Sequence, residues 1–345
     1  MTDLQDRKRK VLYAIVHDFI VSAEPIGSSQ VSKKKGMNLS SATIRNVMSE
    51  LEERGFLKRP HTSAGRVPTD AGYRFYVDEL MKLRPLTANE KSEIRSRVES
   101  GTFDMNEILK DACRFVADRA HQAGIVMAPR SDDRSLQHVQ FVGLKGNLVL
   151  AVLVSSTGIV ENKILELDRF TPQNELDRMH NYLNDHFSGR AMGKIRQEIL
   201  LEMKRVQTEY DQLLTRALLL GERAFSDSTP DVYIEGQSHL FSVPEFGGME
   251  QMQAILRTLE QKTSIVRLLD QCLQNPGVKI FIGEEVAGPE INGLTLITSA
   301  YSDAEGNPGM LGVIGPKRID YARIVPLVDF TSRMITDALK RERKP

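Results

Sequence analysis

The stretch "SSATIRNVMSELEERG" (40–55) permits few structures. Ile44, Val47, Met48 and Leu51 recur at the helical period, so one stripe of this helix must be buried. Ser40 is placed to cap it, Leu39 and Ile44 to staple its start, and Gly55 to end it. The opposite side carries Ala42, Arg45, Asn46 and Ser49 near the N-terminus, then Glu50 and Glu53 further along. Small, hydrogen-bonding residues at the leading end, with acids held back, suit entry of that end into a DNA major groove.

The flanking residues extend this pattern. "TDLQ" (2–5) fits a capping box, with Thr2 as N-cap and Gln5 three positions on. Val11, Leu12, Ile15, Val16, Phe19 and Ile20 then form one face of a first helix, closed by Pro25. "GSSQVSKKKG" (27–36) predicts a short second helix ending at Gly36, whose three lysines either complement the helix dipole or contact phosphate. A four-residue turn, Gly36 to Leu39, leads into the third helix, giving a helix-turn-helix pattern.

Beyond it, "FLKR" (56–59) and "GRVP" (65–68) predict two short strands joined by the tip "PHTSAG". A wing in this position would send Arg59, His61, Thr62, Ser63 and Arg66 to phosphates or a minor groove. The competing assignment is an ordinary hydrophilic hairpin, but its place directly after a recognition-type helix favours a wing. Within the helix, Arg45 is suited to guanine and Asn46 to adenine, while Ser41 and Thr43 can donate to phosphate from the first turn. "TDAGYRFYVDEL" (69–80) predicts a further helix capped by Thr69 or Asp70.

Net charge is zero overall, yet residues 1–84 hold 15 Lys+Arg against 10 Asp+Glu and the remainder 31 against 36. Such asymmetry points to a chain that meets a polyanion with one end only.

The rest of the chain predicts an α+β body. "LRPLTANEKSEI" (83–94) is a linker entering a helix, and 103–122 is an amphipathic helix that carries Cys113 as a buried or half-buried thiol. Strand signals fill 138–167, with "KGN" and "SSTG" as hairpin punctuation, and resume at 278–285, 293–303 and 309–316. The last segment, "YARIVPLVDFTSRMITDAL", is a helix started or kinked at Pro326. Between the strand blocks, Ile199, Met203, Val206, Tyr210, Leu213, Ala217 and Leu220 alternate in steps of four and three. As one continuous helix, 192–225 would reach ~50 Å. That stripe suits equally a packed face of its own domain and a contact between subunits.

Other chemistry lacks its signature. The seven histidines include no HExxH pair and no Cys partner at ligand spacing, so no metal is expected. GxSxG, GxxxxGK[ST] and a post-strand GxGxxG are absent, and "GEEVAGPEING" (283–293) has no EF-hand alternation, so no enzyme and no cofactor is expected. Two cysteines offer no disulfide framework and fit a reducing cytoplasm. His17 and Asp18 interrupt the apolar part of the N-terminus, arguing against a signal peptide, and the run "LVLAVLV" (148–154) is too short to cross a bilayer.

Residues 40–80, "SSATIRNVMSELEERGFLKRPHTSAGRVPTDAGYRFYVDEL", resemble the HrcA family of bacterial heat-inducible transcription repressors, and the likeness continues at a lower level to "GVIGPKRIDYARIVPLVDFTSRMITDAL" (312–339). The resemblance implies an N-terminal winged helix-turn-helix (1–83), a GAF-like α+β domain in two segments (95–171 and 246–340) and an inserted dimerisation domain (172–245) carrying the heptad-like stripe. It also implies a homodimer that represses chaperone operons by binding double-stranded DNA at an inverted repeat, CIRCE. Its activity would be maintained by the GroEL chaperonin and lost on heat shock. A metabolite-responsive regulator sensing a small ligand through the GAF-like domain is the alternative.

Overall fold

The computed structural model describes residues 4–341, apart from 62–63, 100–104, 130–134, 157, 159, 206–211, 226–230, 244–245, 247–248, 261, 274–276 and 287–292. At its N-terminal end α1 (Asp6–Ser22), α2 (Ser28–Ser32) and α3 (Ser41–Glu53) close around Val11, Leu12, Ile15, Val31, Ile44, Val47 and Leu51. The first helix starts later than its sequence predicts. Gln5 is itself the N-cap residue, without a side-chain bond, and Thr2 lies outside the described residues. It ends at Ser22 rather than Pro25, because Ala23 turns left-handed (φ 58°) and caps the last turn on the Phe19 carbonyl.

A two-stranded ribbon follows, β1 (Leu57–Lys58) pairing antiparallel with β2 (Val67–Pro68). Next comes α4 (Asp70–Phe75), which continues as a π-helical turn to Leu80. Thr69 welds this helix to what precedes it. Its hydroxyl donates to the Gly55 carbonyl (2.6 Å) and accepts from the Gly72 amide (3.1 Å). Gly72 is obligatory there, since a Cβ would lie 2.1 Å from the Phe56 carbonyl oxygen.

After the linker the chain runs through α5 (Ala88–Glu99), α6 (Met105–Ala120) and β3 (Ala123–Met127). Then come β4 (Leu136–Gly143), β5 (Leu148–Ser155), β6 (Val160–Glu166), α7 (Gln173–Phe187), α8 (Met192–Arg205) and α9 (Gln212–Ala224). The last part comprises β7 (Val232–Glu235), α10 (Met249–Glu260), α11 (Lys262–Leu273), β8 (Val278–Ile282), β9 (Leu294–Ser302), β10 (Pro308–Pro316) and α12 (Tyr321–Arg341).

One sheet has the order β7-β3-β10-β9-β8, antiparallel throughout. Strand alternation gives it two buried faces. Val126, Ile297, Leu311 and Val313 pack with α6 and α12, while Ile125, Leu296, Met310 and Ile314 pack with α10 and α11. Cys113 on α6 is buried, with its thiol pushed up to about 12 by desolvation, and Cys272 is buried too. Pro326 falls inside α12 rather than at its start. Lacking an N–H, it leaves the Ala322 carbonyl without a helical donor, and the Arg84 amide of the linker takes that place (2.9 Å).

The second sheet, β4-β5-β6, belongs to another core. Val139, Phe141, Val149, Ala151 and Leu153 pack with Leu176, Met179, Leu183, Ile195, Ile199, Ala217 and Leu220 of α7–α9. The expected boundary at 171/172 therefore cuts through a unit: residues 136–225 share one core, and β7 has already returned to the larger sheet before residue 245. The edge of β4 is closed by side chains of α7. Asn184 accepts from the Val139 amide and donates to its carbonyl (2.8 Å each), Gln173 does the same for Gly143 and Phe141 (2.9 and 2.8 Å), and His180 faces the Phe141 amide (3.5 Å). Burial holds His180 below the ordinary imidazole value, His138 adding to the effect and Asp177 opposing it.

The described residues of 192–225 form two helices, not one continuous one. A Cβ built on Gly221 would lie 3.0 Å from Ile199 Cδ1, whereas 22 residues along one helix span ~33 Å. The segment is a pair of helices packed on each other. Ile199, Ala217 and Leu220 are buried inside their own chain, so the intersubunit contact expected of them is corrected to a core role. Met203 lies on α8 and Leu213 on α9; Val206 and Tyr210 lie outside the described residues.

Candidate nucleic-acid interface

The start of α3 is built by its own hydroxyls. Ser40 accepts from the Thr43 amide (3.1 Å) and bonds the Thr43 hydroxyl (2.8 Å), satisfying a helix-end donor that would otherwise need water. Ser41 meets Ser28 (3.0 Å), tying the first turns of α2 and α3 together. Ser41 and Thr43 are thus half-buried and engaged within the chain, an arrangement that orients the turn and leaves its exposed surface to others. Ala42, Arg45 and Asn46 form that surface; all three are exposed, and Ser49 is half-buried beside them.

Two of the three acids of α3, Glu50 and Glu52, are neutralised from the side, and the third, Glu53, is exposed at the C-terminal end of the helix. Lys8 pairs with Glu50 (2.6 Å), and its hydrogen bond and charge hold the Glu50 carboxyl below the ordinary carboxylate value. Glu52 takes Arg66 at 2.7 Å and has Arg59 at 3.9 Å. What remains on the open end of the helix is cationic and hydrogen-bonding, a surface that a phosphodiester backbone does not repel.

The ribbon stands beside this face. Its base is pinned by reciprocal backbone bonds between Ile26 and Arg66 (2.9 Å each). Gly65 presses on the same segment, where a Cβ would come within 2.5 Å of the Ile26 backbone. Lys58, Arg59 and His61 are exposed along it, and Thr62 and Ser63 at its tip lie outside the described residues. Arg66 departs from expectation. Only 6% of it is exposed, so it is an internal anchor of the ribbon rather than a hand held out to phosphate. The physical reason is Glu52, one turn beyond the exposed face of α3, which draws the guanidinium inward.

Sequence patterns did not reveal Glu52, Ile26 or Lys8 as parts of this arrangement. Each acts through a pairing across distant segments, for which spacing gives no signal. Lys58 is a further exposed cation that the strand assignment passed over.

Among the described residues no helix is long and apolar enough to cross a membrane, and no three His, Cys, Asp or Glu side chains gather where they would hold a metal ion.

A crystal structure of a hypothetical protein, refined at 2.2 Å resolution, has the same fold: TM-score 0.61 at 23% identity, covering 98% of each chain. The heat-inducible transcription repressor HrcA of Geobacter sulfurreducens is 43% identical over 342 residues, 99% of this chain and all of that one. Its namesake from Syntrophobacter fumaroxidans is 41% identical over 99% of both. The family model for the HrcA protein C-terminal domain matches residues 106–325. On these matches, which span the length of the chain, the protein belongs to the HrcA family.

Proposed function

We propose that the chain is a dimeric transcriptional repressor of heat-shock genes whose residues 4–80 act as a winged helix-turn-helix. In this reading α3 enters a major groove by its N-terminal end, with Arg45 and Asn46 on base edges, each worth about 1–3 kcal/mol of discrimination. Lys58, Arg59 and the ribbon tip follow the adjacent backbone and supply salt-sensitive, sequence-blind affinity. The observation that carries the proposal is the bare Ala42–Arg45–Asn46 surface, with Glu50 and Glu52 behind it already paired and the exposed Glu53 at the far end of the helix. The relatives' name, heat-inducible transcription repressor, supplies the class of gene.

Pairing of two chains gives a two-fold reader for an inverted repeat, CIRCE by family resemblance. The outer face of β4–β6 supports such pairing. Val142, Leu150 and Ile164 form one cross-strand row and His138, Val154 and Val160 another, with Ile164 66% and Val160 51% exposed. Apolar side chains so open on a sheet face are suited to a second copy. The five-stranded sheet with its helices is the GAF-like domain of this reading, and modulation by the GroEL chaperonin follows the family resemblance.

Footprinting on the organism's chaperone promoters, with and without chaperonin, tests it. Protection of one inverted repeat, lost in Arg45→Ala, is expected; equal protection of any DNA would overturn the specific part.

A further inference from the structure

The helix that follows the ribbon does more than close the N-terminal unit. Welded by Thr69 and Gly72 to the end of α3, α4 moves as α3 moves. Its other side is clamped to the body by charge. Asp70 accepts from Lys317 (2.5 Å) with one oxygen and from the Glu284 amide (3.2 Å) with the other. One turn on, Arg74 forks onto both carboxylate oxygens of Glu285, its Nε donating at 2.9 Å, and also donates to the Ile280 carbonyl (2.6 Å) at the rim of β8. Glu285 is itself held by the Ile282 amide (3.0 Å).

The receiving loop is moulded to this helix. Gly283 sits at φ 59°, and a Cβ there would lie 1.9 Å from Asp70 Oδ2. Beneath the charges the Tyr73 ring meets Tyr321 (6.3 Å), which is fully buried and bonded to Thr295 and the Lys317 carbonyl. The second tie is Arg84 to the Ala322 carbonyl that Pro326 leaves open. A bidentate guanidinium–carboxylate pair fixes angle as well as distance, which a patch of apolar contact does not.

Resting on the reading of the chain as a dimeric operator binder, we propose that Asp70 and Arg74 are positioning residues that set the angle of the DNA-binding unit on the body, and so decide which half-site spacing the dimer accepts. Each base pair of spacer turns one half-site by about 35° relative to the other, as ~10 base pairs make a turn. A rigid joint cannot follow that rotation; a loosened one can.

The test uses the full-length protein and fluorescence anisotropy on duplexes carrying the footprinted inverted repeat. The spacer is natural, or lengthened or shortened by one or two base pairs, and a single half-site serves as reference. Wild type should prefer its natural spacing by about tenfold or more. Arg74→Ala and Asp70→Asn should flatten that preference to about threefold or less while single half-site affinity stays within about twofold. Glu285→Ala, which removes the same fork from the body's side, should flatten the preference alike even if Arg74→Ala folds poorly. Wild type that binds the inverted repeat no better than unrelated DNA would remove the operator-binding reading and this proposal with it. Wild type with a spacing preference that Arg74→Ala and Asp70→Asn both retain would remove this proposal alone.

Discussion

Glu52→Ala separates an internal anchor from a DNA contact. Arg66 is 8% exposed at its side chain, and its ion-pair partner Glu52 lies at 2.7 Å. Breaking a buried pair costs about 3–5 kcal/mol, an exposed one about 0.2–1. Glu52 is one-third exposed, so water reaches one side of the pair and the expected cost is about 2 kcal/mol. Because Arg66 also holds the ribbon base to Ile26 through its backbone, the loss should appear locally. Amides of Ile26 and Arg66 should exchange with deuterium roughly thirtyfold faster, while those of the five-stranded sheet do not change.

Operator affinity should fall alike in Glu52→Ala and Arg66→Ala, since either change loosens the same ribbon. The slope of log affinity against log salt should stay as in wild type. A direct phosphate contact predicts the opposite pattern. Arg66→Ala alone would reduce that slope by about 0.9, and Glu52→Ala, by removing an acid near DNA, would tighten binding. That second pattern would refute the anchoring role.

Ser40→Ala should cost about 1 kcal/mol at the start of α3, seen as faster exchange of the Thr43 amide, because the Ser40 hydroxyl accepts from that amide. Ile164→Asp should shift the chain toward monomer in sedimentation experiments with little change in melting temperature, its side chain being largely in solvent already. His180 is held below its ordinary value in the folded chain, so the unfolded state takes up protons first as pH falls below about 6.5. Stability of residues 136–225 should therefore be full above that pH and decline below it. His180→Gln should flatten the decline as followed by amide exchange between pH 7.5 and 5.5, values chosen to lie about one unit either side of the free imidazole.

The N-terminal unit was the most legible part of the sequence, because its elements are short, capped and separated by glycines that can turn left-handed. Ser40, Thr69 and Gly55 act at the helix ends where their chemistry suggests, whereas α2 stops at Ser32, before the three lysines and Gly36 expected to end it. The body was less legible. β3, next to β10 near the middle of the large sheet, is the five-residue run "AGIVM" buried on both faces, without alternation to mark it and directly after a helix. β7 is shorter still. Of the stripe over 192–225, Ile199, Ala217 and Leu220 are buried, but periodicity does not say whether a buried side faces a second chain or the residues before it, and here Ile199 faces Gly221. Arg66 shows the same limit at the candidate interface: an arginine in a polar loop has one appearance in sequence whether it faces solvent or Glu52.

The asparagine, glutamine and histidine with which α7 closes β4 have a consequence for how many molecules can join. A small sheet with both margins open is a template without an end: each new copy offers the next a fresh margin, and the product is a fibre. Sealing one margin removes that possibility. If two copies meet by the outer face, as proposed, that contact uses up the same surface on both, and growth stops at two.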